Sequence, residues 1–220
     1  MSNVKSVQDF LNDLENELAE NKKAHAELAR EFYSKPRSKE VNITWLMDRC
    51  FRELDAIPNF SHTLGVFYHE LDRDLVQVLA KQVLDEARHY HLLASVIENM
   101  LGRPVTTAEI KPLPATRAQN DTMTKYGNES VVTMFACRGY GAEYLSAAVN
   151  WALLECAEPE VQEPYKVIAR DEEFHARIGR MGLERYATTP EKQELAWKAA
   201  TETADLHLKA YTSMFKNLIA

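Results

Sequence analysis

Two short strings in the chain carry residue types suited to metal chemistry. Asp85-Glu-Ala-Arg-His89 and Asp171-Glu-Glu-Phe-His175 each read D-E-x-x-H. On a helix, Glu and His three positions apart leave from one face, so a single turn offers a carboxylate and an imidazole to one point. That mixture of hard oxygen and borderline nitrogen suits iron or manganese. With 23 glutamates and seven histidines, roughly 0.7 E-x-x-H pairs arise by chance; requiring one of ten aspartates in front lowers this to roughly 0.03. Two occurrences therefore mark a site.

A dinuclear site in a helical bundle needs one further carboxylate from each of two other helices. In an antiparallel hairpin, residues at equal depth lie equally far from the turn. Glu53 and Glu86 have their midpoint at 69.5, within His69-Glu-Leu-Asp72, and Glu143 and Glu172 have theirs at 157.5, at Ala157-Glu-Pro159. Both midpoints fall on turns. Glu70 sits at the turn itself and fails the same test. The surroundings of Glu143, from Ala136 to Ala148, are too apolar and too rich in small residues for a solvated face. Four buried carboxylates would have to take up protons unless cations balance them, and two divalent ions do so.

The elements that must hold these groups read almost entirely as helix. Val7, Phe10, Leu11, Leu14, Leu18 and Leu28 recur at helical spacing from about 4 to 33, before the breaker Ser34-Lys-Pro-Arg-Ser38. A second helix, kinked at Pro58, is expected from Ile43 to about His69, and a third from Asp74 to Leu101, stopped by Gly102-Arg-Pro104. Residues 102–128 show no periodicity and read as a long connection. Helix returns over 128–157 and again to about Tyr186, and Thr188-Thr-Pro-Glu191 starts the last one. The expectation is one all-α domain over 1–220: a metal-binding four-helix bundle over about 42–187 with one long crossover, flanked by an extra helix at each end, about 4–33 and 190–218.

With these motifs the chain resembles the ferritin-like di-iron and di-manganese carboxylate superfamily. The resemblance implies six metal ligands, Glu53, Glu86, His89, Glu143, Glu172 and His175. It implies that Asp85 and Asp171 bond the non-ligating nitrogens of the ligand histidines, fixing tautomer and ring orientation. The string from Ala169 to Gly179 is most similar to bacterial di-iron oxygenases of the phenylacetyl-CoA and benzoyl-CoA epoxidase kind. Soluble hydrocarbon monooxygenases carry a threonine four residues after the third glutamate. Here that position is Ala147, with Ser146 one residue off. The implied function is a non-heme di-iron oxidoreductase, with two iron ions (or manganese) and dioxygen as co-substrate, that oxygenates or hydroxylates a small organic molecule. Electrons would come from a separate reductase or ferredoxin, and a homodimer is compatible with the resemblance. The alternative is peroxide or metal handling, as in manganese catalase, rubrerythrin or a ferroxidase. Gly139, Tyr140, Ala147 and Gly179 are candidates for the lining of a substrate cavity, close helix packing being the other role for such small residues.

Composition narrows the remaining classes. Thirty-three acids against 26 bases give a net charge of −7. Assigning six acids to the metal site leaves 27 against 26 elsewhere, so the surplus belongs to the core. No basic, aromatic-interleaved face suggests nucleic acid. No apolar run is long enough to span a membrane, and the N-terminus lacks an apolar signal core, so a cytoplasmic protein is expected. Cys50, Cys137 and Cys156 form no CxxC, which argues against a disulfide framework or a rubredoxin-type iron site.

Overall fold

The computed structural model describes residues 5–216 and 218, so the outermost positions expected in the terminal helices lie outside the described residues. Helices α1 (Val7–Tyr33), α2 (Lys39–Phe67) and α3 (Arg73–Leu101) are followed by α4 (Pro114–Glu129) and the short α5 (Val131–Met134). A π-helix (Phe135–Glu143) then runs into α6 (Tyr144–Cys156), and α7 (Pro159–Tyr186) and α8 (Pro190–Phe215) complete the chain. Local chemistry sets the starts: the side chains of Ser6, Ser38, Asp72, Ser130 and Thr189 each accept from a backbone N–H of the first turn. Proline opens α4, α7 and α8, where its missing N–H is harmless. Gly102 closes α3 in the left-handed conformation (φ 70°).

The apolar core forms two clusters. One joins Leu11, Leu14, Phe67, Leu75, Phe135, Leu183 and Ala200; the other joins Phe32, Trp45, Ile97, Leu153, Ile168 and Phe215. Every long helix runs from one cluster to the other, and successive helical runs alternate in direction. At mid-height, between the clusters, each presents buried polar groups: His25, Glu53, Glu86 and His89, Ser146, Glu172 and His175, and His207.

Two expectations are corrected here. The stretch expected as a crossover coil contains α4, hidden from a search for apolar periodicity because its buried face is largely polar (Thr116, Gln119, Asn120). The terminal helices are not flanking additions. Helix α8 lies along the π-helix, α1 and α4, and α1 packs on α6 and α8, so Leu11, Leu14, Ala199, Ala200 and Ala204 are fully buried. A bundle of four helices with two outriders is therefore not what forms.

Close backbone approach locks the π-helix into this arrangement. A Cβ on Gly139 would stand 2.3 Å from Cα of Gly179, one on Gly141 2.5 Å from Thr203 Cβ, and one on Gly182 2.2 Å from the Phe135 ring. Gly139→Ala is expected to destabilise the protein by about 1–3 kcal/mol in urea unfolding, as overpacking does. Gly65, in α2 with nothing within 4 Å of an added Cβ, serves as the contrast. There Gly→Ala should stabilise by about 0.5–1 kcal/mol through helix propensity.

Candidate metal centre

The polar groups at mid-height converge. Glu53, Glu86, His89 and Glu172 bring one donor atom each within 4.8 Å of one another, and Glu86, Glu143, Glu172 and His175 do the same. The two sets share Glu86 and Glu172, so the six sequence-predicted residues form two adjoining four-donor pockets. His89 Nδ1 lies 3.4 Å from Glu53, 3.7 Å from Glu86 and 3.5 Å from Glu172. His175 Nδ1 lies 3.2 Å from Glu86. The two imidazole centroids are 5.7 Å apart.

The D-E-x-x-H strings interlock across helices. His89 of α3 reaches Asp171 of α7 through Nε2 (3.1 Å), and His175 of α7 reaches Asp85 of α3 in the same way (3.3 Å). A carboxylate only accepts, so each Nε2 carries the proton and each Nδ1 turns inward. Arg88 ties the two aspartates together, at 3.2 Å from Asp85 and 2.5 Å from Asp171, and Lys81 pairs with Asp85. Arg88 lies inside one of the strings and Arg49 one turn before Glu53, but nothing in their spacing distinguishes them from surface charges. Arg49 is buried, 2.9 Å from Glu53 and 3.9 Å from Glu172.

Whether these residues suit metal ions is decided by their unmet valences. His89 Nδ1, His175 Nδ1 and Glu172 Oε2 are buried and form no hydrogen bond. A buried polar atom without a partner costs stability, so groups of this kind aimed at one point fit a pair of cations. Without metal, protons do the balancing. Burial pushes the Glu143 carboxyl well above the ordinary carboxylate range, and neighbouring Glu172 adds to it. Burial also lifts Glu53, to about 7, against the opposing pull of Arg49. Burial works against ionised Glu172 as well, but Glu143 and His89 bond it and hold it at about 2. For His175, burial lowers the imidazole, but Glu86 and Asp85 outweigh it and hold it at about 10.

Beside Glu143 lies a cavity of about 50 Å³ whose wall is drawn from α2, α4, the π-helix, α6 and α8, with Glu86 of α3 and Glu172 of α7 at its edge, and includes Arg49, Arg138, Phe60, Asn120, Met123 and Ser146. The expected lining residues sit elsewhere in part. Gly139 and Gly179 meet backbone to backbone and edge only a void of about 10 Å³ on the other side of Glu143. Tyr140 turns outward, its hydroxyl donating to Glu15 at 3.1 Å, and shares a surface groove with Ala147. The cavity wall belongs instead to Ser146, which bonds His207 at 3.2 Å, and to polar residues of α4. His62, His69 and His91 are exposed, away from the site.

No family profile and no curated protein matches the chain. Solved structures do. A CADD-like protein of unknown function from Nostoc punctiforme PCC 73102 aligns over 97% of this chain and 99% of its own (TM-score 0.74, 16% identity). A domain of unknown function with a heme oxygenase-like fold from Shewanella denitrificans OS217 covers 94% and 92% (TM-score 0.70, 16% identity). A TenA homologue from P. horikoshii OT3 covers 94% and 98% (TM-score 0.67, 12% identity). The fold is thus heme oxygenase-like, and the expected membership of the ferritin-like superfamily is corrected: the shared arrangement takes in α1, α4 and α8, which a four-helix core leaves out. Among the described residues no helix is long and apolar enough to cross a membrane.

The sign of the pH dependence follows from the imidazoles. A group whose value is raised on folding, as His175 is from 6.5 to about 10, stabilises the metal-free protein fully below about pH 6.5 and loses that contribution as pH rises through about 10. Urea unfolding of chelator-treated protein should therefore show stability falling across that window. Metal loading at neutral pH should expel protons, read by calorimetry in buffers of different ionisation enthalpy, and affinity should drop as pH is lowered. Loading without proton release would contradict the inward Nδ1 assignment.

Proposed function

We propose that the chain is a non-heme di-iron oxidoreductase that uses dioxygen to oxygenate or hydroxylate a small organic substrate. The observation that carries this reading is the pair of four-donor sets sharing Glu86 and Glu172, with both histidine Nδ1 atoms buried and unpartnered. Glu53 and His89 would complete one ion's protein ligands, and Glu143 and His175 the other's. Such a mixed oxygen and nitrogen set suits iron, with manganese as the nearest competitor. Two iron ions held there would supply the reducing electrons for dioxygen and the oxidising power delivered to substrate, with electrons replenished by a separate reductase or ferredoxin.

The chain's own residues would do the rest. Asp171 and Asp85 keep the Nε2 protons of His89 and His175, so both imidazoles present Nδ1 inward. Arg49 holds Glu53 and leans on Glu172, limiting how far those carboxylates can swing. The two apolar clusters above and below exclude bulk water from the charged layer. Glu143, half-buried at the end of the π-helix, lines the cavity with Glu53, Glu86 and Glu172, and this is the space where a substrate would lie.

The alternative of metal storage is less well supported. The cavity wall carries Arg49, Arg52 and Arg138, and guanidinium groups repel an incoming cation. Aerobically purified protein should hold about two iron ions per chain and show an oxo-bridged di-iron spectrum. Glu86→Ala, which removes a donor common to both sets, should lose most of both ions while the helical circular dichroism persists. Glu53→Ala should cost chiefly one of them. A ferrous sample should oxidise in a single exposure to dioxygen. Manganese with oxygen evolved from peroxide would move the assignment to peroxide handling, and full metal content in Glu86→Ala would refute the ligand set.

A further inference from the structure

The π-helix also carries Arg138, 6% exposed and surrounded by Phe60, Gly127 and the cavity. Its Nε is buried without a hydrogen bond, and none of the ion pairs among the described residues includes it. Every other buried arginine near the site is matched: Arg49 to Glu53, and Arg52 to Asp48 at 3.3 Å, with Thr116 and Gln119 at 2.7 and 2.8 Å. Asp55, the one aspartate in the cavity wall, accepts from Asn59 at 2.7 Å and Asn120 at 3.0 Å, and it attracts Arg138 without coming within ion-pair distance of it. A buried, unpaired guanidinium is expensive, and a fold retains one where an anion arrives to meet it.

We propose that Arg138 is the anchor for the carboxylate of the substrate, making this a site for a small organic acid. The inference rests on the di-iron reading for what happens to the bound molecule and for the charge count at the site, whereas the anchor itself rests on Arg138 and the cavity. Charge sets the class. With the four glutamates balanced by two divalent ions, three arginines in or at the wall face two aspartates, Asp48 and Asp55. One net positive charge is left, which suits a monoanion such as a carboxylate and leaves a dianionic phosphate ester uncompensated. A guanidinium also pairs with a carboxylate through two parallel N–H donors. Shape sets the orientation: Ala56, Phe60, Met123 and Ala142 line the cavity together with Arg138 and Glu143. A carboxylate on Arg138 therefore leaves its hydrocarbon part against these apolar groups, with its far end toward the glutamates.

The test is calorimetric binding of propionate, hexanoate and benzoate, each against its amide, and of inorganic phosphate, to the purified protein with metal content measured in parallel. At least one carboxylate should bind, its amide at least about tenfold more weakly. Arg138→Met should weaken that carboxylate by about tenfold or more with metal content unchanged, and Arg138→Lys should recover part of the loss. Without ligand, Arg138→Met should melt at a higher temperature than the native protein, because it removes an unpaired buried charge; a merely structural arginine would give the opposite shift. The proposal is overturned if none of the three acids binds, if amides or phosphate bind as well as the acids, or if Arg138→Met binds normally. Carboxylate binding through Arg138 in a protein that takes up no metal would sustain this inference and sink the di-iron reading alone.

Discussion

Four glutamates and two histidines share one layer at the middle of a helical core, and the rest of the molecule is organised around making that layer tolerable. Carboxylates removed from water destabilise a fold unless cations, protons or hydrogen bonds meet them. The chain answers in several ways at once. Arg49 neutralises from α2, the crossed pairs His89–Asp171 and His175–Asp85 fix the imidazoles, and Arg88 ties the two aspartates to each other. The layer then recruits further polar groups at the same height. His207 bonds His25 at 2.8 Å and Ser146 at 3.2 Å, and burial keeps His25 down at about 4, so this chain stays neutral beside the charged set. Apolar clusters close both ends.

Crossing the aspartate contacts between α3 and α7 has a mechanical consequence. Each D-E-x-x-H string gives a donor to the centre and an orienting acid to the other string's histidine, so neither helix can rotate or slide without misdirecting both imidazoles. The π-helix works on the opposite wall. Its contacts through Gly139 and Gly141 are at backbone distance from α7 and α8, which sets the depth at which Glu143 ends the segment. Wide turns of this type are common at functional sites because they re-aim side chains that a regular helix would direct elsewhere.

The donors were legible in the sequence because i, i+3 spacing on a helix is a geometric statement, and because hairpin midpoints test depth independently of any fold. The rest was not, for reasons that differ by element. Helix α4 buries Thr116, Gln119 and Asn120, so it lacks the apolar stripe by which helices are recognised. The apolar faces of α1 and α8 look the same in sequence whether a helix flanks a core or completes it, and the fold class turned on that distinction. The π-helix leaves no periodic trace. Arg138 did leave one: a single charge within the otherwise apolar run from Val131 to Ala142, a position where a solvated side chain has nowhere to go.

That last residue ties the polar layer to its purpose. Charges in a core are ordinarily retained only when matched, and here the matching is nearly complete: Asp85 and Asp171 hold histidines, Asp48 holds Arg52, Arg49 holds a glutamate, and the donor atoms still unmet point at one another. Two kinds of vacancy are left. One is the pair of inward Nδ1 atoms among carboxylates, which asks for cations; the other is a guanidinium facing a cavity, which asks for an anion. Arg138 and Glu143 both line the cavity, while His175 borders the small void on the other side of Glu143. A fold that merely tolerated buried charge would have paired Arg138 with the glutamates a short distance away. Keeping the two apart leaves room between them for a molecule that carries its own negative charge.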